Sequence, residues 1–120
     1  MSSNPYKAKT KLEDRKTETS MIRSKYPEKY PVIVQRSVKD TNLKDIDRNK
    51  FLVPCELLVS DFLNIIRKRV HNMNEEKSLF FYVGNGKLIS MTQPCSALYD
   101  QEKDEDGYLY IFYQGENTFG

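Results

Sequence analysis

Three side chains supply the thiol and imidazole chemistry of this chain: Cys55, Cys95 and His71. A cysteine nucleophile needs a histidine base within hydrogen-bond reach and a third group that orients that base. No orienting Asp or Asn can be assigned from the spacing, and no oxyanion-building motif is present, so no catalytic residue is identified. The cysteines form no CxxC pair and no ligand set with the single histidine, so neither a metal nor a cofactor is expected. Two free thiols in a reducing compartment is the plain reading. The glycine-rich stretch Gly84-Asn85-Gly86 reads as a turn rather than a phosphate cradle, because no helix follows it directly. The run Arg67-Lys68-Arg69 suits a solvated helix end and a surface for acidic groups equally well.

The rest of the composition bounds the possibilities further. The chain has 120 residues, enough for one cored domain and cramped for two. Lys and Arg number 19 and Asp and Glu 17, a balance that does not announce a nucleic-acid binder. Eight Tyr and six Phe can fill a small core. No apolar run approaches the roughly 20 residues of a membrane-spanning helix, and the first residues show no signal-peptide stretch. Charge is segregated: residues 1–31 hold eight Lys/Arg against four Asp/Glu, whereas residues 100–120 hold one Lys against six Asp/Glu. The two ends can attract each other within the fold or face different partners.

The elements that must position these groups alternate along the chain. Residues 1–11 read as a mobile arm or a short helical turn. Residues 12–25 lack Gly and Pro and form a helix with a thin apolar stripe, Leu12 and Ile22, suited to a surface position. Tyr26-Pro27 and Tyr30-Pro31 end it. Val32-Ile33-Val34 is a strand, 37–50 is polar and irregular, and Phe51-Leu52-Val53 is a second strand closed by Pro54. Leu58, Phe62, Ile65, Ile66 and Val70 repeat at helical spacing, which predicts a helix over 57–70 with the Arg67–Arg69 charges in its last turn. Ser78–Val83 is a strand whose near-continuous apolar run suggests an interior place with both faces covered. Lys87-Leu88-Ile89 can pair back as a hairpin. A short helix over 95–101, an acidic turn and a last strand, Tyr108–Tyr113, complete the order. Periodicity supports an α+β fold with one sheet.

Several stretches match a known family in one order: Ile22-Arg23-Ser24-Lys25-Tyr26-Pro27, Pro31-Val32-Ile33-Val34, Asp47 through Pro54, and Ile66-Arg67-Lys68-Arg69. Leu79-Phe80-Phe81, Leu98-Tyr99, Lys103 to Tyr110 and the tail Tyr113 to Gly120 continue the match. The chain resembles the autophagy-related ubiquitin-like modifiers, the GABARAP and microtubule-associated light chain 3 group, from about Leu12 to Gly120. The resemblance implies a ubiquitin-like β-grasp: a four-stranded mixed sheet with a crossover helix, plus an N-terminal helical extension. First and last strands would pair centrally in parallel, with the second strand at an edge. The implied division is 1–30 for the extension, 31–115 for the ubiquitin-like domain and 116–120 for a flexible conjugation tail.

The resemblance also implies two activities. The first is conjugation of Gly120 to the amine of phosphatidylethanolamine. The chain would be the substrate of ubiquitin-like activating and conjugating enzymes and not an enzyme itself. Phe119 would be read by those enzymes and by a processing and deconjugating cysteine protease. A terminal glycine lacks a side chain that would crowd its carboxylate in a narrow active site. The second is capture of aromatic-x-x-aliphatic peptides, as found in cargo receptors and adaptors, by the open edge strand. Glu18, Ile22, Pro31, Ile33, Lys50, Leu52 and Tyr108 would surround the aromatic side chain. Phe51, Val53, Pro54, Leu57, Phe62 and Ile65 would surround the aliphatic one. Lys29, Arg48, Arg67 and Arg69, with Lys50, would attract acidic neighbours of the motif. Ile33, Phe62 and Ile65 would be core residues in any β-grasp domain. The implied location is the cytoplasm and, after conjugation, the autophagosome membrane.

The chain departs from the family pattern in places. Arg48-Asn49-Lys50 has Asn where another basic residue is usual, and Tyr108 stands where the family often has Phe. A different reading is an adaptor or tubulin-binding domain that is never conjugated.

Overall fold

A computed structural model describes residues 4–73, 78–84 and 86–115. Helices α1 (Pro5–Lys9) and α2 (Leu12–Lys25) precede strands β1 (Lys29–Arg36) and β2 (Lys50–Pro54). Helix α3 (Val59–Met73), strands β3 (Leu79–Val83) and β4 (Lys87–Leu88), helix α4 (Cys95–Glu102) and strand β5 (Leu109–Gly115) follow. The sheet runs β2-β1-β5-β3-β4. Strands β1 and β5 are parallel neighbours at its centre, and β2 lies at one margin, antiparallel to β1. The fold is therefore α+β and ubiquitin-like, with helices ahead of the sheet. The strand count is five rather than four, because Lys87 and Leu88 do pair back onto Val83 and Tyr82.

Two apolar layers cover the sheet. On one face α3 contributes Phe62, Leu63, Ile66 and Val70 to the main core, with Val32, Val34, Val53, Leu109 and Ile111 opposite. Each such side chain, fully buried, stabilises by about 1.5–3 kcal/mol. On the other face Ile33, Tyr108, Tyr110 and Phe112 form a smaller aromatic layer against which Tyr6 and Tyr82 pack. β3 lies between β5 and β4, but its burial alternates: Leu79, Phe81 and Val83 are buried while Phe80 and Tyr82 are half-buried. The helix expected over 57–70 begins at Val59, after the carbonyl of Leu58 accepts the first helical bonds, and runs on to Met73 because no breaker follows Val70. Arg67–Arg69 therefore lie inside α3 and His71 occupies its last turn.

Residues 4–11 are tied to the fold. Asn4 caps α1 by accepting from the Lys7 amide, and Pro5 occupies the first helical position, where its missing N–H costs nothing. The Tyr6 amide donates to Gln35 on β1 at 2.7 Å. Helix α2 docks through polar side chains: its buried residues are Arg15 and Thr19. Arg15 Nε donates to Asp106 at 2.7 Å, and the Thr19 hydroxyl donates to the Asp106 carbonyl at 2.6 Å. The turn that presents Asp106 requires Gly107, whose φ of +94° is a glycine conformation. A Cβ there would lie 2.4 Å from the Thr19 hydroxyl. The connection 37–49 is tied down by buried Asp40, whose carboxylate accepts from the amides of Asn42, Leu43 and Gly115.

Candidate functional site

Strand β2 has β1 on one side and nothing on the other among the described residues. Its register against β1 decides which peptide groups face outward. The Val34 amide donates to the Asn49 carbonyl at 2.8 Å, which makes Val34 and Asn49 a hydrogen-bonded pair. Antiparallel pairs alternate. Phe51 opposite Val32 and Val53 opposite Tyr30 are then bonded pairs, and Lys50 opposite Ile33 and Leu52 opposite Pro31 are not. Pro31 confirms the phase, since it has no N–H to give Leu52. The backbone groups of Lys50 and Leu52 consequently point away from β1. The Lys50 carbonyl is held by Arg48 Nε at 3.0 Å. An extended peptide can lie along this margin and pair with these groups.

Side chains of β2 alternate in the complementary sense. Val53 is buried in the main core and Phe51 packs edge-on against Phe62, with ring centroids 5.7 Å apart. Leu52, 37% exposed, and Lys50 turn instead towards α2. There a hollow of about 190 Å³ is lined by Glu18, Ile22, Pro31, Lys50, Leu52 and Tyr108, together with Arg48 and Phe51. Six of the seven residues assigned to an aromatic pocket thus share one concavity. Ile33 does not reach it: with no exposed surface, it supports the wall from the aromatic layer behind.

Lys50 and Glu18 close part of the mouth with a 3.0 Å ion pair. The Tyr6 hydroxyl donates to the same Glu18 oxygen at 3.2 Å, and the Lys50 ammonium lies 5.2 Å from the Tyr6 ring centre. Partial desolvation opposes the charge on Lys50, but the Tyr6 hydroxyl and Glu18 outweigh it and hold the ammonium above the ordinary lysine value. Both partners are substantially exposed, so the bridge is weak and an incoming side chain can displace it. Sequence reasoning left Tyr6 in a mobile arm or a short helical turn and gave it no role at the site. Its signal was the Asn4-Pro5 pair, a helix start.

Residues assigned to an aliphatic pocket divide. Val53 and Phe62 are buried core residues. Phe51 and Leu57 are half-buried and Pro54 is exposed. Ile65 is 48% exposed, so it is not the core residue that a generic β-grasp pattern suggests. Among the basic residues, Arg48 and Arg69 place their guanidinium groups 5.5 and 5.7 Å from the Phe51 ring. Arg69 also pairs with Asp47 at 3.2 Å. Arg67 lies over the Phe81 ring and Lys29 over the Tyr26 ring. Arg48, Lys50 and Arg69 therefore set positive charge beside the edge strand, which favours acidic partners and makes their association sensitive to salt, whereas Arg67 stands over β3, three strands away in the sheet. Gly120 and Phe119 lie outside the described residues.

The thiols occupy different environments. Cys95 is buried in the main core, and burial pushes its thiol up to about 11. Cys55 is half-exposed at the end of β2. A thiol-directed alkylating reagent at pH 7.5 is expected to label Cys55 in the folded chain and Cys95 only after unfolding, as peptide mapping would show. Labelling of Cys95 at the Cys55 rate would contradict its burial. Among the described residues no His, Cys, Asp and Glu side chains gather as a metal-ligand group. No described helix is long and apolar enough to cross a membrane.

Comparison with known proteins agrees with this architecture. The family model described as autophagy protein Atg8 ubiquitin like matches residues 14–120. Autophagy-related proteins 8c and 8d of Arabidopsis thaliana are 44% and 45% identical to the chain over 120 residues, covering all of it and 98% of each relative. The crystal structure of Trypanosoma brucei ATG8 superimposes with a TM-score of 0.85 at 35% identity, covering 98% of this chain and 99% of that one. Plasmodium falciparum Atg8, solved in complex with a Plasmodium falciparum Atg3 peptide, gives a TM-score of 0.85 at 36% identity, covering 97% and 98%. With a family model matched over nearly its whole length and relatives covered end to end, the chain belongs to the Atg8 family of autophagy ubiquitin-like proteins.

Proposed function

We propose that this chain is a ubiquitin-like modifier with two separate working parts, a conjugated tail and a peptide-binding margin. The tail would supply the Gly120 carboxylate. Activating and conjugating enzymes would adenylate it, pass it to an enzyme thiol as a thioester, and transfer it to the amine of phosphatidylethanolamine, with Phe119 read beside the bond. A cysteine protease would process or release it. The chain would be substrate in each step and catalyst in none. Conjugation would move it from the cytoplasm to the autophagosome membrane. Family membership supports this reading, as does the Atg3 peptide complex of the Plasmodium relative. Incubation with activating and conjugating enzymes, ATP and phosphatidylethanolamine vesicles tests it by mass: a lipid adduct is expected. Its absence beside a working control would leave a non-conjugated adaptor or tubulin binder.

The margin would recruit cargo receptors and adaptors bearing aromatic-x-x-aliphatic segments. One observation carries this: the outward-facing peptide groups of Lys50 and Leu52 lie beside a hollow lined by Ile22, Pro31 and Tyr108. Leu52→Ala removes part of the wall while leaving the β1 ladder intact. It is expected to weaken such peptides by about 1–3 kcal/mol in calorimetry with little change in melting temperature. Unchanged affinity in the folded variant would remove the margin from the binding site.

A further inference from the structure

The hydroxyl of Tyr108 is the one buried side-chain polar atom without a hydrogen-bond partner among the described residues. Its neighbours are paired: the Tyr110 hydroxyl donates to Asp106 at 2.6 Å and the Tyr6 hydroxyl to Glu18 at 3.2 Å. Tyr108 is 1% exposed, so solvent does not satisfy the group either. The ring packs edge-on against Tyr6, with centroids 5.6 Å apart, and forms part of the wall of the hollow beside β2. An unpaired hydroxyl in apolar surroundings raises the free energy of the empty site. Any occupant that brings a donor or acceptor to it relieves that cost, and an occupant that brings neither seals it in.

Resting on the peptide-capture reading above, we propose that the Tyr108 hydroxyl makes this hollow select an aromatic side chain carrying its own hydrogen-bonding group, a phenol or an indole, over a bare phenyl ring. The occupant displaces the exposed Glu18–Lys50 bridge at the mouth and comes to rest against Tyr108. A phenol donates or accepts, an indole N–H donates, and a phenyl ring does neither. A site that pairs a polar group of its ligand discriminates against the analogue that lacks it.

Three peptides identical except for Tyr, Trp or Phe at the aromatic position, titrated into the full chain and into Tyr108→Phe, test this. The wild type is expected to bind the Tyr peptide about fivefold more tightly than the Phe peptide, and Tyr108→Phe to reduce that ratio to about one or below. The preference for Trp over Phe falls in the same variant. A Tyr-to-Phe ratio unchanged by the substitution overturns the selectivity while leaving peptide capture standing. No binding of any of the three to folded wild type overturns peptide capture and the selectivity with it. A second measurement needs no ligand: Tyr108→Phe deletes only the unpaired oxygen, so it is expected to melt at or above the wild-type temperature. A lower melting temperature means that the hydroxyl is bonded within the fold, and overturns the inference.

Discussion

Asp106→Ala is expected to melt on the order of 10 °C below the wild type, from a loss of about 3–5 kcal/mol. Asp106 is fully buried, and its carboxylate takes three hydrogen bonds: from Arg15 Nε at 2.7 Å, from the Tyr110 hydroxyl at 2.6 Å and from the Tyr108 amide at 2.8 Å. Removing it leaves the Arg15 guanidinium buried beside an empty space and frees both tyrosine donors. Burial raises the Asp106 carboxyl above the usual range, although its bonds to Tyr110 and Arg15 favour the charged form. A carboxyl whose pKa rises on folding gives up stability as pH climbs through that raised value. The ion pair therefore fixes geometry more than it adds net stability. Adding Arg15→Met to Asp106→Ala should recover part of the loss, because the orphaned charge goes too. Calorimetric melting of the single and double variants checks both statements. A single variant as stable as wild type would mean that α2 is not anchored through this turn.

Gly120→Ala is expected to cut lipid attachment on the order of a hundredfold while leaving peptide affinity unaltered. Adenylation and thioester transfer demand that the carboxyl carbon sit within an ångström of its place, and one added methyl in a narrow channel prevents that. The margin proposed to bind peptides lies on β2, a different part of the chain, so calorimetry with an aromatic-x-x-aliphatic peptide should not register the change. Equal losses in the two assays would show that tail and margin act as one unit.

Much of the architecture was legible because local pattern and tertiary role coincide. Helix α2 matches residues 12–25, since a stretch without Gly or Pro and closed by Tyr26-Pro27 has few alternatives. Strand β2 reads correctly because Pro54 both stops it and suits an edge. What escaped the sequence depends on long-range polar contacts. The thin apolar stripe of α2 placed it on the surface, yet gave no hint that it docks through Arg15 and Thr19 onto a turn some 90 positions later. The Asn4-Pro5 pair signals the helix that carries Tyr6 but not its partners Glu18, Gln35 and Tyr108, which are brought near only by the finished sheet. Within the candidate site, alternation along β2 separated Lys50 and Leu52 from Phe51 and Val53. The burial of Ile33 and Phe62 follows from the core pattern of a β-grasp domain, whereas the exposure of Ile65 does not, because it depends on how α3 settles on the sheet.

The brevity of β2 has a consequence for behaviour at high concentration. An unpaired strand margin is a template on which identical chains polymerise into fibrils. Here only Lys50 and Leu52 turn both an N–H and a C=O outward, Pro54 offers no donor, and the Arg48 side chain already occupies one acceptor. A guest of about four residues can dock on that footing, whereas a second copy would run out of rungs before a cross-β stack could grow. The same shortness confines a guest strand to a brief footing and denies a neighbouring copy the length that a fibril needs.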